Sequence, residues 1–292
     1  MVKIRDIYEK KQCEGKPVFS LEIFPPKKAE NLPKIYDTVA QLADINPDYI
    51  SVTYGAAGGT KGKITSDIAG NIKRKFGIET VAHLTCINSS RDEVDDAIED
   101  IKKNDIENVL VLRGDRVEGS REGAFRHANE LAIELQKAGG RDLNLIGACY
   151  PEGHIDSPNL TEDVENLKYK IGAGVTSLVT QLFFDNQVYY DFIDRIRAAG
   201  IDVPVAAGIM PITKPSQIER TVELSGASLP EEFSKMIAKY GNDPDGLFVH
   251  DIEYAVGQIR DLIAHGVPDI HLYTMNTPEV AKAVYDGIKD LL

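Results

Sequence analysis

Glu22 is the one charged residue in Phe19-Ser20-Leu21-Glu22-Ile23-Phe24, a run that otherwise reads as a buried strand and is stopped at once by Pro25-Pro26. An ionised carboxylate is costly to bury alone. A strand that carries one either uses it to give or take a proton or pairs it with a neighbouring Lys or Arg, or leaves it on a solvated edge. Other polar residues fall at the ends of other apolar runs: Thr53 and Tyr54, His83, Arg113 and Asp115, Tyr150, and Gln181. Each has an ordinary alternative, since strand ends carry polar groups where the chain meets water. His83 reads equally as a core histidine, Arg113 and Asp115 as a turn salt bridge, and Tyr150 before Pro151 as a packing residue. Their recurrence at the same place in successive runs points to one shared site.

The elements that must position these residues follow from periodicity. Short β-branched or aromatic runs alternate with longer segments of helical period, the pattern of βα units and a parallel sheet. Strands are predicted over about 17–24, 49–54, 80–86, 108–113, 143–150, 176–184, 203–209 and 269–275. Ile35, Val39, Leu42 and Ala43 form the apolar stripe of a helix lying on a sheet. Ser90 and Glu93 read as a capping box, with Asp92, Asp95 and Asp96 at the positive end of that helix rather than in a metal cluster. An added stretch of about forty residues lies between the seventh and eighth strands, where Ser228-Leu229-Pro230-Glu231 predicts an extra helix ahead of the periodic segment 247–265.

Eight such units predict an α/β fold, a (β/α)8 TIM barrel forming a single domain over residues 1–292, although periodicity alone also admits a doubly wound sheet. Glycine patterns favour the barrel. The nearest match to a dinucleotide fingerprint, Gly172-Ala173-Gly174-Val175-Thr176-Ser177, lacks the third glycine and precedes a strand, so it reads as a helix stop. Gly55-Ala56-Ala57-Gly58-Gly59-Thr60-Lys61 lacks phosphate-loop spacing and reads as a βα loop. In a barrel the reactive residues come from the C-terminal strand ends. Alternation turns Ser20 and Glu22 inward and Phe19, Leu21 and Ile23 outward.

Composition narrows the partners. A net charge of -13 without a basic block argues against nucleic acid. Cys13, Cys86 and Cys149 show no metal spacing and suit reduced thiols, so no metal is expected. No apolar run is long enough to span a membrane, and the expectation is a soluble, cytoplasmic protein. Asp163, Asn166 and Lys170 form a polar ridge beside an apolar stripe of Val164, Leu167 and Ile171. It reads as a solvated flank or, if it faces the barrel mouth, as a cation, an amide and a carboxylate suited to phosphate and ribose hydroxyls.

The segments Glu22-Ile23-Phe24-Pro25-Pro26, Ser51-Val52-Thr53-Tyr54-Gly55-Ala56, His83-Leu84-Thr85-Cys86, Leu112-Arg113-Gly114-Asp115, Tyr150-Pro151-Glu152 and Thr180-Gln181-Leu182-Phe183-Phe184-Asp185 resemble, in order and spacing, the methylenetetrahydrofolate reductases. The likeness runs from about residue 17 to 290 and corresponds to the catalytic barrel of the bacterial type. It implies an FAD enzyme that takes hydride from NAD(P)H and passes it to 5,10-methylenetetrahydrofolate, giving 5-methyltetrahydrofolate. By this likeness Glu22 is the general acid, with apolar walls favouring its proton-bearing form, and Asp115 lies near both flavin and folate. Substrate contacts carry over to Glu22, Thr53, Asp115, Gln181 and Gln217. Contacts to FAD carry over to Tyr54, Ala56, His83, Arg113, Gly114, Asp115, Ala128, Tyr150, His154, Asp163, Asn166 and Lys170.

Three positions depart from the family's best-known bacterial pattern: Thr221 stands for a phenylalanine that packs on nicotinamide, Thr277 for an arginine near the ligand, and Tyr169 for an arginine that assists FAD. Two alternatives therefore stay open. One keeps the folate chemistry but draws electrons from a partner iron–sulfur subunit or ferredoxin. The other is a non-catalytic folate- or flavin-binding barrel. A homo-oligomer is compatible with either.

Overall fold

In the computed structural model, residues 2–54, 61–116, 123–139 and 143–292 are described. Eight parallel strands hydrogen-bond in chain order and the eighth closes on the first. They are β1 (Val18–Ile23), β2 (Tyr49–Val52), β3 (Glu79–Thr85), β4 (Asn108–Leu112), β5 (Asn144–Cys149), β6 (Val175–Thr180), β7 (Val205–Ile209) and β8 (Asp269–Tyr273). The helices that cover them are α2 (Leu32–Ala43), α3 (Lys61–Phe76), α4 (Arg91–Lys103), α5 (Ala128–Gly139), α6 (Leu160–Gly172), α7 (Asn186–Ala198) and α11 (Pro278–Ile288). Closure leaves no sheet edge, so every strand can be buried on both faces.

Two cores result from strand alternation. Phe19, Leu21, Ile23, Val109, Val111, Leu145 and Leu272 point outward into the large cluster under the helices. Val18, Tyr49, Val81, Leu110, Ile146, Val179 and Ala206 point inward and fill the barrel. The inward core is closed from below by α1 (Ile4–Glu14), whose Ile4 and Tyr8 belong to the same cluster. This helix is not among the elements that the sequence pattern predicts. Its signal is faint: Ile4 and Tyr8 sit four residues apart, one turn of a helix whose other positions are mostly polar.

Local capping explains several boundaries. Ser90 Oγ accepts from Glu93 N–H, and Glu93 Oε2 accepts from Ser90 N–H at 2.8 Å, so the capping box ahead of α4 is formed. The stretch between β7 and β8 holds three helices, α8 (Pro215–Ser225), α9 (Glu231–Tyr240) and α10 (Pro244–Ala264). This is two more than a regular βα unit requires. Ser228 does not cap α9; Pro230 stands at the cap, and Ser228 N–H donates instead to the Glu152 carboxylate. The sixth strand ends at Thr180, short of the predicted 184. Leu182 and Phe184 are apolar for another reason: they pack with Ile212, Ala227 and Phe233, with Phe184 stacked on Phe233 at 4.4 Å. Among the described residues, no helix is long and apolar enough to cross a membrane.

One buried charge in this scaffold opposes folding. Asp251, on the inner face of α10, is 1% exposed and its Oδ2 lacks a hydrogen-bond partner among the described residues. Burial pushes its carboxyl up to about 7, against the pull of the Ile212 backbone N–H. The unfolded chain ionises near pH 3.9. The raised folded value therefore means stability that is complete below about pH 4 and is lost as pH rises towards about 7, at about 1.4 kcal/mol per pH unit. Asp251→Asn should flatten that decline. Thermal unfolding of the two proteins at pH 5 and pH 8 checks it: the variant's advantage must be larger at pH 8.

Candidate active site

Glu22 lies at the C-terminal end of β1, and the β1–β8 and β1–β2 registers pair it with Tyr273 and Ser51. The backbone there is clasped from the end of β8, because Thr274 Oγ1 donates to Glu22 O at 2.7 Å. The side chain points inward, as alternation predicts, but its walls are not apolar. His83 Nε2 on β3 and His271 Nε2 on β8 each stand 3.5 Å from Glu22 Oε2. Glu22 is 18% exposed whereas the imidazoles are 6% and 2% exposed, so the carboxyl is the member that meets solvent. His83 shares a 2.5 Å hydrogen bond with Ser51 Oγ, and burial lowers its pKa to about 4, which keeps the ring neutral near pH 7. A carboxyl beside a neutral imidazole such as His83 can hold or release a proton.

Below this pair, Asp269 is fully buried in the barrel. Its Oδ2 accepts from Tyr8 and Tyr49 hydroxyls, both at 2.8 Å, and Ser20 Oγ donates to Oδ1 at 2.9 Å. Burial nonetheless lifts its pKa to about 6, against the opposing pull of His271 and the three hydroxyls.

A second cluster lines the mouth at the ends of β4 and β5 and along α6. Arg113 Nη2 bonds Asp156 Oδ2 at 2.6 Å, so the anticipated turn salt bridge with Asp115 is replaced by one to the loop after β5. Gly114 has φ +80, and a Cβ there would meet Thr85 Cβ at 2.9 Å, so both backbone and space require glycine. Asp115 is exposed, its carbonyl accepting from Asn88 Nδ2. Tyr150 packs edge-on against His154 at 4.5 Å, and Lys170 Nζ lies 5.9 Å from the Tyr150 ring while donating to Ala148 O at 2.8 Å. Asp163 is buried and accepts from Ser157 Oγ at 2.8 Å.

These groups sense one another's charge. Burial first, then the charge of Arg113, depresses His154, with Asp163 and Lys170 also acting on it. Lys170 is lowered by burial, against Cys149 and Asp163. The α6 ridge therefore joins Asp163 and Lys170 to the mouth, with Asn166 exposed between them. Tyr273 connects the two clusters: burial, then the charge of Glu22, and more weakly Cys149 and Tyr150, raise its pKa, while its hydroxyl donates to Thr180 O at 2.6 Å.

The remaining expected residues are placed less tightly. Ala128 is buried at the start of α5, and Tyr54 is half-buried against the outer core. The half-buried Thr53 accepts from Thr65 Oγ1 through its carbonyl. Gln181 is half-buried, its Oε1 accepting from Leu182 N–H. Gln217 Oε1 accepts from Lys214 N–H and so closes the start of α8. Ala56 lies outside the described residues. Of the departing positions, Tyr169 is 65% exposed, Thr221 is half-buried, and Thr277 Oγ1 donates to Met275 O. Sequence reasoning missed Ser51, Asp156, Asp269, His271 and Tyr273. Three of these sit at alternate positions of Asp269-Ile270-His271-Leu272-Tyr273, the same inward-polar beat that singled out Ser20 and Glu22.

Taken with the closed barrel, a carboxyl between imidazoles facing a cation-bearing rim defines a (β/α)8 enzyme site at the C-terminal strand ends. The methylenetetrahydrofolate reductase family matches residues 3–289. The 5,10-methylenetetrahydrofolate reductase of Salmonella typhimurium is 33% identical, over 94% of this chain and 91% of its own length. That of Pectobacterium carotovorum is 32% identical over 94% and 90%. Methylenetetrahydrofolate reductase 1 of Schizosaccharomyces pombe is 31% identical over 98% of this chain but 48% of its own length. The chain thus spans about half of that fungal relative and about nine-tenths of the bacterial ones. A solved Clostridium thermocellum protein, described as uncharacterised and binding two copies of 5-methyl-5,6,7,8-tetrahydrofolic acid, has TM-score 0.63 at 15% identity, covering 97% of this chain and 98% of that one. It supports the fold. The chain belongs to the methylenetetrahydrofolate reductase family, a family of oxidoreductases.

The Tyr273 ring owes its place to Gly208 on β7, where a Cβ would meet Thr180 O at 2.5 Å and the tyrosine ring at 2.7 Å. Gly208→Ala should therefore destabilise the fold by about 1–3 kcal/mol through overpacking. Denaturant unfolding measures this, and an unchanged midpoint would refute the contact's importance.

Proposed function

We propose that the chain reduces 5,10-methylenetetrahydrofolate to 5-methyltetrahydrofolate with FAD as its bound cofactor, NAD(P)H as electron donor and Glu22 as general acid. The observation that carries this reading is the placement of Glu22 between two buried imidazoles at the barrel mouth, with the Arg113, Asp163 and Lys170 cluster on the same rim.

The donor set fits a dinucleotide. Arg113 is held by the exposed Asp156, and Lys170 is held by a carbonyl rather than a carboxylate, which suits both to a pyrophosphate. Asp163 and Asn166 suit ribose hydroxyls. Tyr54, Ala56, His83, Gly114, Asp115, Ala128, Tyr150 and His154 complete the contacts expected from the family likeness. These local cations offset a chain of net charge -13 that would otherwise repel an anionic ligand. FAD, when bound, supplies a two-electron carrier that accepts hydride from the nicotinamide and releases it to the folate methylene carbon.

Glu22 donates its proton to the folate nitrogen that leaves as the five-membered ring opens, and the C–N bond breaks to an iminium. The methylene carbon then takes hydride and becomes the methyl group. Asp115 stabilises the cationic stage by its charge, while Gln181, Thr53 and Gln217 orient folate and nicotinamide. A neighbour of like fold described as binding 5-methyltetrahydrofolic acid is consistent with this substrate class.

Purified protein should show a flavin absorption band, and anaerobic NADH or NADPH should bleach it. Glu22→Gln should still bind FAD and bleach, yet lose folate reduction by about 10²- to 10⁴-fold. Asp115→Asn should slow the folate step more than the bleaching. A preparation that takes up no FAD, or full folate turnover by Glu22→Gln, overturns the proposal. Failure to bleach with both nucleotides would instead move the electron source to a partner protein.

A further inference from the structure

His271 is one of the members of this site that the sequence did not single out, and counting protons assigns it a task. Among the described residues its Nε2, shut from solvent, has no hydrogen bond, and Glu22 Oε2 stands 3.5 Å from it. Its Nδ1 lies 2.8 Å from Ser20 Oγ. Ser20 owns a single proton, with two close claimants: Asp269 Oδ1 at 2.9 Å and His271 Nδ1 at 2.8 Å.

The carboxylate wins that competition. A hydrogen bond to an ionised acceptor is roughly twice as strong as one between neutral groups, and Tyr8 and Tyr49 both serve Oδ2, so Oδ1 depends on Ser20. With its proton committed, Ser20 Oγ can only accept from His271. The histidine hydrogen then sits on Nδ1, and Nε2 offers a lone pair. His83 cannot do the same, because its Nε2 is already engaged with Ser51.

We infer that Asp269, acting through Ser20, holds His271 in the Nδ1–H tautomer, so that its Nε2 meets Glu22 as a hydrogen-bond acceptor for the proton that the acid carries into the reaction. The inference rests on Glu22 being the acid of the proposed reaction, and His271 is a positioning residue within it. The opposite tautomer would present N–H to Glu22 and favour the carboxylate, which has no proton to give. Among the described residues, the titratable groups facing Glu22 are His83 from β3 and His271 and Tyr273 from β8. Behind them stand Asp269 of β8, Tyr49 of β2 and Tyr8 of α1.

The test is long-range ¹H–¹⁵N NMR on the whole protein labelled with ¹⁵N-histidine, the His271 signal being assigned by its loss in His271→Gln. The expected pattern is Nδ1–H. In Asp269→Asn the side-chain amide can donate to Ser20, freeing the hydroxyl proton for Nδ1, and the pattern should switch to Nε2–H. Ser20→Ala, which removes the link with little change in volume, should also abolish the pure Nδ1–H pattern and serves if Asp269→Asn does not fold.

In turnover, the basic limb of methylenetetrahydrofolate reduction should move down by about one pH unit in either variant, about tenfold in rate above it. Flavin reduction by NAD(P)H should keep its profile. An Nε2–H pattern in the unaltered protein overturns the inference, as does an unmoved tautomer and limb in the folded variants. The NMR arm requires neither flavin nor folate. An Nδ1–H signal that switches as stated, in a protein that reduces no folate, therefore upholds the tautomer and refutes the reaction instead.

Discussion

The structure depends on one constraint: a carboxylate sealed inside a closed barrel has to be satisfied by side chains that point inward from several strands at once. Asp269 is fully buried, and its partners come from β1, β2 and the helix under the barrel. Bonds to a charged group contribute roughly 1.5–3 kcal/mol each, so three of them are of the order of the several kcal/mol that burying one ion costs. The balance is close, which is why every member matters and why the carboxyl is still raised to about 6. Strand parity makes the arrangement possible. Ser20, Tyr49 and His271 occupy inward positions because the registers of β1 with β2 and β8 place them side by side.

The same parity separates tasks along the barrel axis. Apolar inward residues and α1 fill the lower part, and polar inward residues take over toward the mouth. The rim then divides into an acid half, built on β1, β3 and β8, and a cationic half, built on β4, β5 and α6. Tyr273, seated over Gly208, lies where both are felt. In a chain with a large excess of acidic residues, the mouth cations Arg113 and Lys170 are only partly committed to protein carboxylates: Arg113 bonds Asp156, and Lys170 donates to a backbone carbonyl.

Much of this was legible in the sequence. The strand positions agree to within one or two residues except at the end of β6, and the inward direction of Glu22 followed from alternation alone. The capping box of α4 was readable because it is purely local. What could not be read were non-local choices. Nothing near Arg113 in sequence says that it bonds Asp156 rather than Asp115. Leu182 and Phe184 look like strand because apolar runs look alike, whichever partner they pack against. Asp269, His271 and Tyr273 carried the right alternation but sit far from Glu22 in the chain, and only closure of the barrel brings the last strand beside the first. The expected apolar walls around Glu22 failed for that reason.

The helix that plugs the underside is more than a stopper. Through the hydroxyl of Tyr8 it supplies one of the hydrogens on which the interior carboxylate relies, and that carboxylate stands two short links from the imidazole beside Glu22. The opening turns of the polypeptide are thus mechanically part of the reaction centre at the opposite pole. Displacing this helix would let water rise through the floor and hydrate a column whose polarity depends on staying dry.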